Sequence, residues 1–112
     1  MGNRSDRAHA REYIVLPAIV AAQGVPDAAP MHVGLNDVSV SGARIRADWS
    51  FPESTPILLT VETIRFNALA FVIRTFKHSG AWDIALKFFE PHPEIPQKLL
   101  EYKLRRRPGA FR

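Results

Sequence analysis

Apolar and polar residues alternate along most of this chain, and alternation marks strands with one buried face. Tyr13 to Ala22 is the first such stretch, rich in Ile and Val. Met31 to Leu35 is the second, and it runs on into Asn36-Asp37-Val38-Ser39-Val40-Ser41-Gly42. In the third, Ala43, Ile45 and Ala47 alternate with Arg44, Arg46 and Asp48. Ile57, Leu59 and Val61 mark a fourth, and a fifth runs from about Arg65 to Phe76. The sixth sets Trp82, Ile84, Leu86 and Phe88 on one face against Asp83 and Lys87 on the other.

The breaks between these stretches carry turn chemistry. Gly24, Pro26, Asp27 and Pro30 make Gln23 to Pro30 a loop, Trp49 to Pro56 is a connection, and Lys77-His78-Ser79-Gly80 is a turn. Pro17 cannot donate to a ladder, so it predicts an edge position or a bulge in the first strand. Pro91, Pro93 and Pro96 stop the sixth strand, and Gln97 to Arg107 reads as a helix. Ile95, Leu99 and Tyr102 share one helical stripe, with Leu100 and Leu104 beside it. Arg105, Arg106 and Arg107 complement the helix dipole, and Pro108-Gly109 ends the helix. Six strands with short turns predict an all-β fold, a barrel or sandwich, with a C-terminal α-helix over one side. Closure into a barrel would remove the exposed edges.

Composition fits one domain with one modest core, since the chain has 112 residues and is 46% hydrophobic. It has no cysteine, which excludes disulfides, thiolate zinc sites and cysteine nucleophiles. The four histidines, His9, His32, His78 and His92, are spread singly, so no metal site is expected. No Gly-rich phosphate loop is present, and no nucleophile is paired with a base, so catalysis is not expected either.

The formal net charge of +4 lies entirely in residues 94–112, which hold six basic residues against two acidic ones. Residues 1–93 balance, nine against nine. A neutral barrel has no excess charge to track a polyphosphate backbone, so a nucleic-acid polymer is not the expected partner. Residues 1–22 have some features of a secretory signal, with Val20-Ala21-Ala22 placed like a cleavage site. Asp6, Glu12 and Pro17 argue against that reading, so the segment is taken as a strand and the location as cytoplasmic. No run approaches the roughly 20 apolar residues of a membrane-spanning helix.

The polar chemistry concentrates in two places. If Asp37 to Ser41 is extended, Asp37, Ser39 and Ser41 share one face, offering a carboxylate and two hydroxyls. Gly42 ends the row, where it can take positive φ or let a ligand approach the backbone. The alternative is a polar strand end entering a turn, with Asp37 and Ser39 bonding their own backbone. The second place is Arg7-Ala8-His9-Ala10-Arg11, just before the first strand. A guanidinium fork matches the O6/N7 edge of guanine and also phosphate oxygens. Asp37 can accept from the donors on guanine's opposite edge, so the two segments together suit a ligand bearing guanine and phosphate.

These motifs occur in order: Arg7-xxx-Arg11, Tyr13-Ile14-Val15-Leu16-Pro17-Ala18, then Asp37-x-Ser39-x-x-Gly42-Ala43-Arg44-Ile45. Phe71-Val72-Ile73-Arg74 and Ala85-Leu86-Lys87-Phe88 follow, and the whole resembles the PilZ domain family. The resemblance covers nearly the whole chain. It implies a six-stranded antiparallel β-barrel, a PilZ-like split barrel, that binds the bacterial second messenger cyclic di-GMP. The implied ligand residues are Arg7, Arg11, Asp37, Ser39 and Gly42, with Trp82, Arg74 and Arg4 as secondary contacts. Trp82 would either stack on a guanine or join the core.

One departure is Ala85, where the family often has Gly; it is expected to affect barrel packing more than the ligand site. The division that follows is an arm over 1–12 carrying the arginines, a barrel with its helix over 13–107, and a tail over 108–112. Such a protein is expected to act as a receptor without turnover, needing no cofactor, and to signal to a downstream protein. Motility and exopolysaccharide synthesis are the outputs the family suggests. The competing reading keeps the fold as a protein-interaction adaptor that does not use the nucleotide.

Overall fold

The computed structural model describes residues 12–25 and 28–106. Its strands are β1 (Glu12–Ala22), β2 (Met31–Val38), β3 (Gly42–Ala47), β4 (Pro56–Val61), β5 (Phe66–His78) and β6 (Ala81–Phe88). A single 3-10 turn, Glu62–Ile64, joins β4 to β5, and α1 (Ile95–Arg106) closes the described chain. The strands form a closed barrel in the order β1-β2-β3-β6-β5-β4, and every pairing is antiparallel. The expected six strands, barrel and helix are therefore all present. Closure leaves no free edge among the described strands, as the sequence pattern led us to expect.

Alternation explains the interior. Ile57, Leu59 and Val61 of β4 are fully buried, and so are Ile45 of β3 and Ile84 of β6. Their neighbours in sequence point outward, so each strand contributes every second residue to one core. Burying a side chain of this size stabilises the fold by about 1.5–3 kcal/mol. The helix closes one end of the barrel with Ile95 and Leu99, both buried, and with Tyr102 packed partly against the core. Leu100 and Leu104, on the next stripe, remain exposed.

Two details differ from the sequence reading, and a third, the place of Pro17, agrees with it. The β5–β6 hairpin is tighter than a four-residue turn, because His78 pairs with Ala81. Only Ser79 and Gly80 bridge the strands, both at positive φ (51° and 80°), the arrangement that matches the twist of a two-residue hairpin. The helix starts two residues early, at Ile95, so Pro96 sits inside its first turn, where a missing N–H costs nothing. Pro17 pairs with Gly34 on β2, whereas the β1–β4 ladder begins only at Ile19. Pro17 thus occupies the part of β1 paired on one side, as its missing donor requires.

Before the helix, the carboxylate of Glu94 lies 3.1 Å from Nδ1 of His92. A hydrogen bond to its own backbone, aided by His92, holds the Glu94 carboxyl below its ordinary pKa. The His92 ring in turn stands edge-on to Phe66 and Phe88, with centroids 5.1 and 5.2 Å away. The β6–α1 connection is therefore anchored on the barrel end that also carries the β2–β3 turn.

Candidate functional site

The position of Asp37 rests on a strand irregularity. In β2, Leu35 pairs with Ile45 and Asp37 pairs with Arg44, so Asn36 is an extra residue bulged out of the ladder. Strict alternation from Leu35 would send Asp37 into the core. The bulge shifts the phase by one residue, so Asp37 shares the outward face with Arg44 while Val38 turns inward. A second bulge lies at Ile73 in β5, between Val72, which pairs with Leu86, and Arg74, which pairs with Ala85. Arg44 also pairs with Ala85. Asp37, Arg44, Ala85 and Arg74 therefore form one row across β2, β3, β6 and β5. The β1–β2 register shift between Tyr13 and Leu16 falls on the same row, because Tyr13 pairs with Asp37.

The extended reading of residues 37–41 does not hold beyond Val38. There β2 ends, and Ser39 to Ser41 form the turn into β3. The backbone N–H of Ser39 donates to the Gly42 carbonyl at 2.8 Å, closing the turn. The Ser39 hydroxyl lies 3.4 Å from the Gly42 carbonyl and accepts from the Ser41 N–H at 3.3 Å. These are long contacts that shape the turn without carrying much energy. Asp37 and Ser39 are both buried, at 4% and 3% exposure. Among the described residues no buried side-chain polar atom lacks a hydrogen-bond partner.

The turn is also tied to the next layer. The Ser41 carbonyl accepts from the Phe88 N–H at 2.9 Å, and the Val40 carbonyl accepts from the His92 N–H at 2.8 Å. Gly42 itself does not take positive φ. What its missing side chain permits is a close approach of β6, since a Cβ there would collide with the Leu86 carbonyl oxygen.

The remaining expected residues are distributed as follows. Arg4, Arg7 and Arg11 lie outside the described residues. β1 nevertheless begins beside the turn, since Glu12, which follows Arg11 in sequence, pairs with Val38. Arg74 is exposed at the far end of the Asp37 row. Trp82 sits at the opposite end of the β3–β6 ladder, paired with Ala47, whereas Gly42 pairs with Lys87. Five ladder steps separate those two pairs, about 17 Å. Trp82 packs partly against the core, with the Lys77 ammonium 6.0 Å from its ring centroid.

Ala85 was expected to matter for packing. Its methyl instead lies on the outward face between Arg44 and Arg74, while Ile84 and Leu86 fill the core. Arg44, read in the sequence as part of the Gly42-Ala43-Arg44-Ile45 run and as the polar side of the third strand, stands directly beside Asp37 in this row. Arg46, the next outward residue on β3, is committed elsewhere: it pairs with Asp83 at 2.9 Å and donates to the His78 carbonyl.

No group of three or more potential metal ligands gathers among the described residues. Nor is any described helix long and apolar enough to cross a membrane. The sequence model of the PilZ domain matches residues 5–105. No curated protein matches the chain. Among solved structures, the Bacillus subtilis inhibitor of motility, MotI/DgrA, superimposes with a TM-score of 0.66 at 20% identity. The match covers 89% of this chain and 50% of that one. YcgR from Escherichia coli, solved in complex with c-di-GMP, gives a TM-score of 0.64 at 17% identity, covering 95% of this chain and 50% of that one. At such identities the likeness is one of fold, and this chain spans half the length of each of the two.

Proposed function

The chain belongs to the PilZ domain family, and from that premise we propose that it is a receptor for cyclic di-GMP rather than an enzyme. The observation that carries this reading is where β1 begins. Asp37, Ser39 and Gly42 stand at one end of the barrel, and β1, preceded by Arg7-xxx-Arg11, starts against the same turn. Arg7 and Arg11 clasp guanine edges and phosphates of the ligand. Asp37 accepts from a guanine edge, and Ser39 bonds a phosphate or guanine. Gly42 holds the turn close to β6, so that these groups keep their places. YcgR, whose structure contains c-di-GMP, supports the choice of ligand by analogy of fold.

Binding then becomes a signal because the arginines belong to the arm over residues 1–12, and ligand held between arm and turn fixes the arm against the barrel. Ordering the arm costs conformational entropy, which the ligand contacts offset. The altered surface is what a downstream protein reads. Amide hydrogen exchange tests this directly. Saturating cyclic di-GMP is expected to slow exchange in residues 1–12 and 38–42, while the core of β4 and β5 stays unchanged. Exchange in the arm that is the same with and without bound ligand would rule out this relay.

A further inference from the structure

Excess charge and exposed apolar side chains meet on one element. All of the formal +4 falls in residues 94–112, whereas residues 1–93 balance. Within that stretch α1 holds Lys98, Lys103, Arg105 and Arg106 against Glu101 alone. One stripe of the helix is fixed on the barrel by Ile95 and Leu99, so α1 cannot turn its other faces inward. Leu100 and Leu104 consequently stay outside, 49% and 48% exposed. Four residues apart, they stack into one apolar ridge.

Cations lie to both sides of this ridge. Exposed Lys103 is on one flank. On the other, beyond Gln97 and Glu101, which bond each other at 3.2 Å, come Lys98 and exposed Arg105. These two donate to the carbonyls of Arg65 and Thr63, at 2.9 and 3.3 Å. A carbonyl is a neutral acceptor, so both keep their charge. The recess there adds exposed Arg65, and its three cations outnumber Glu62 and Glu101.

We propose that this face of α1 docks on the surface of an anionic lipid bilayer. The helix lies along the surface, since no described helix is long and apolar enough to cross a membrane. Leu100 and Leu104 enter the headgroup boundary, and the cations around them meet lipid phosphates. Charge complementarity selects an anionic partner, and the ridge selects a bilayer over the groove of an acidic protein. A groove that takes a helix reads apolar anchors over about two turns, and these two leucines cover one. A second copy is disfavoured, because it would set one basic helix against another. The proposal does not rest on the receptor reading.

The test is co-sedimentation of the full chain with vesicles, either pure phosphatidylcholine or phosphatidylcholine mixed with phosphatidylglycerol. The parent is expected to pellet with the mixed vesicles and not with the neutral ones. Raising salt from about 0.05 to about 0.5 M should weaken that binding about tenfold or more. The double variant Leu100→Gln, Leu104→Gln keeps every charge and a good helix former at each position. It is expected to bind about tenfold more weakly at an unchanged melting temperature, since both side chains are exposed. Lys103→Gln should cost about fivefold, whereas Lys77→Gln, which removes the same charge from β5, binds as the parent does. A folded parent that ignores the mixed vesicles, or pellets equally with both kinds, overturns the proposal. So does parent-like binding by the leucine variant, which would leave only non-specific attraction to a basic segment. A parent that stays off the vesicles but dimerises through the same leucines assigns the face to a second copy. One that binds polyglutamate instead assigns it to an acidic protein, and either result overturns the bilayer.

Discussion

The double variant Arg7→Ala, Arg11→Ala is expected to bind cyclic di-GMP about a hundredfold more weakly than the parent and to melt at the same temperature. A bidentate arginine-to-guanine pair is worth about 1–3 kcal/mol, and about 1.4 kcal/mol is tenfold in affinity. Removing both guanidinium groups at about 1.4 kcal/mol each, a value within that range, therefore gives the stated factor. Stability should not follow, because the buried core residues, among those whose burial is described, all lie at Leu16 or beyond. Binding curves and thermal melts of the same preparations separate the two effects. Parent-like affinity in the double variant would mean that the arm does not touch the ligand.

The second large effect is one of folding. Gly42→Ala is expected to destabilise the barrel by about 1–3 kcal/mol, the usual cost of overpacking a tight site. For a domain of this size that is a fall in Tm of roughly 5–15 °C. The added Cβ meets the backbone carbonyl of Leu86, not a flexible side chain, so relief requires β3 and β6 to part. The same movement would disturb the Ser41 carbonyl bond from Phe88. Gly34 is the matched control, since a Cβ there meets nothing within 4 Å, and Gly34→Ala should leave Tm within a few degrees. Equal melting of Gly42→Ala and the parent would show that the close approach is not a constraint.

The strands were legible because their core residues alternate with little interruption. Ile57-Leu58-Leu59-Thr60-Val61 and Trp82 to Phe88 are clear cases, and the helix stripe of Ile95 and Leu99 is as direct. The candidate site was less legible for a definite reason. It lies on a row where one strand after another changes phase, and a bulge has no residue-type signature of its own. Nothing about Asn36 or Ile73 marks them as extra residues, yet each decides which neighbour faces outward. Reading residues 37–41 as one extended strand puts Asp37, Ser39 and Ser41 on one shared face, whereas the strand stops at Val38.

The glycine was recognised but its physical reason was not, since the approach of Leu86 is a tertiary contact. The neighbourhood of Ala85 and Arg44 was hidden for the same reason. Only the pairing of β3 with β6 and β6 with β5 shows that these two residues and Arg74 are neighbours. Trp82 illustrates the converse, a residue type that invites a ligand role but whose register places it far along the ladder from Gly42.

Calorimetric titration of the purified chain with cyclic di-GMP, with GTP and cyclic di-AMP as controls, tests the central claim most directly. Saturable binding of cyclic di-GMP, and of neither control, is the predicted result, and the same experiment yields the stoichiometry. A folded protein that gives no heat with cyclic di-GMP at several temperatures, or that binds all three nucleotides alike, would contradict the claim. The first of those outcomes would turn attention to this barrel as an adaptor that works without the nucleotide.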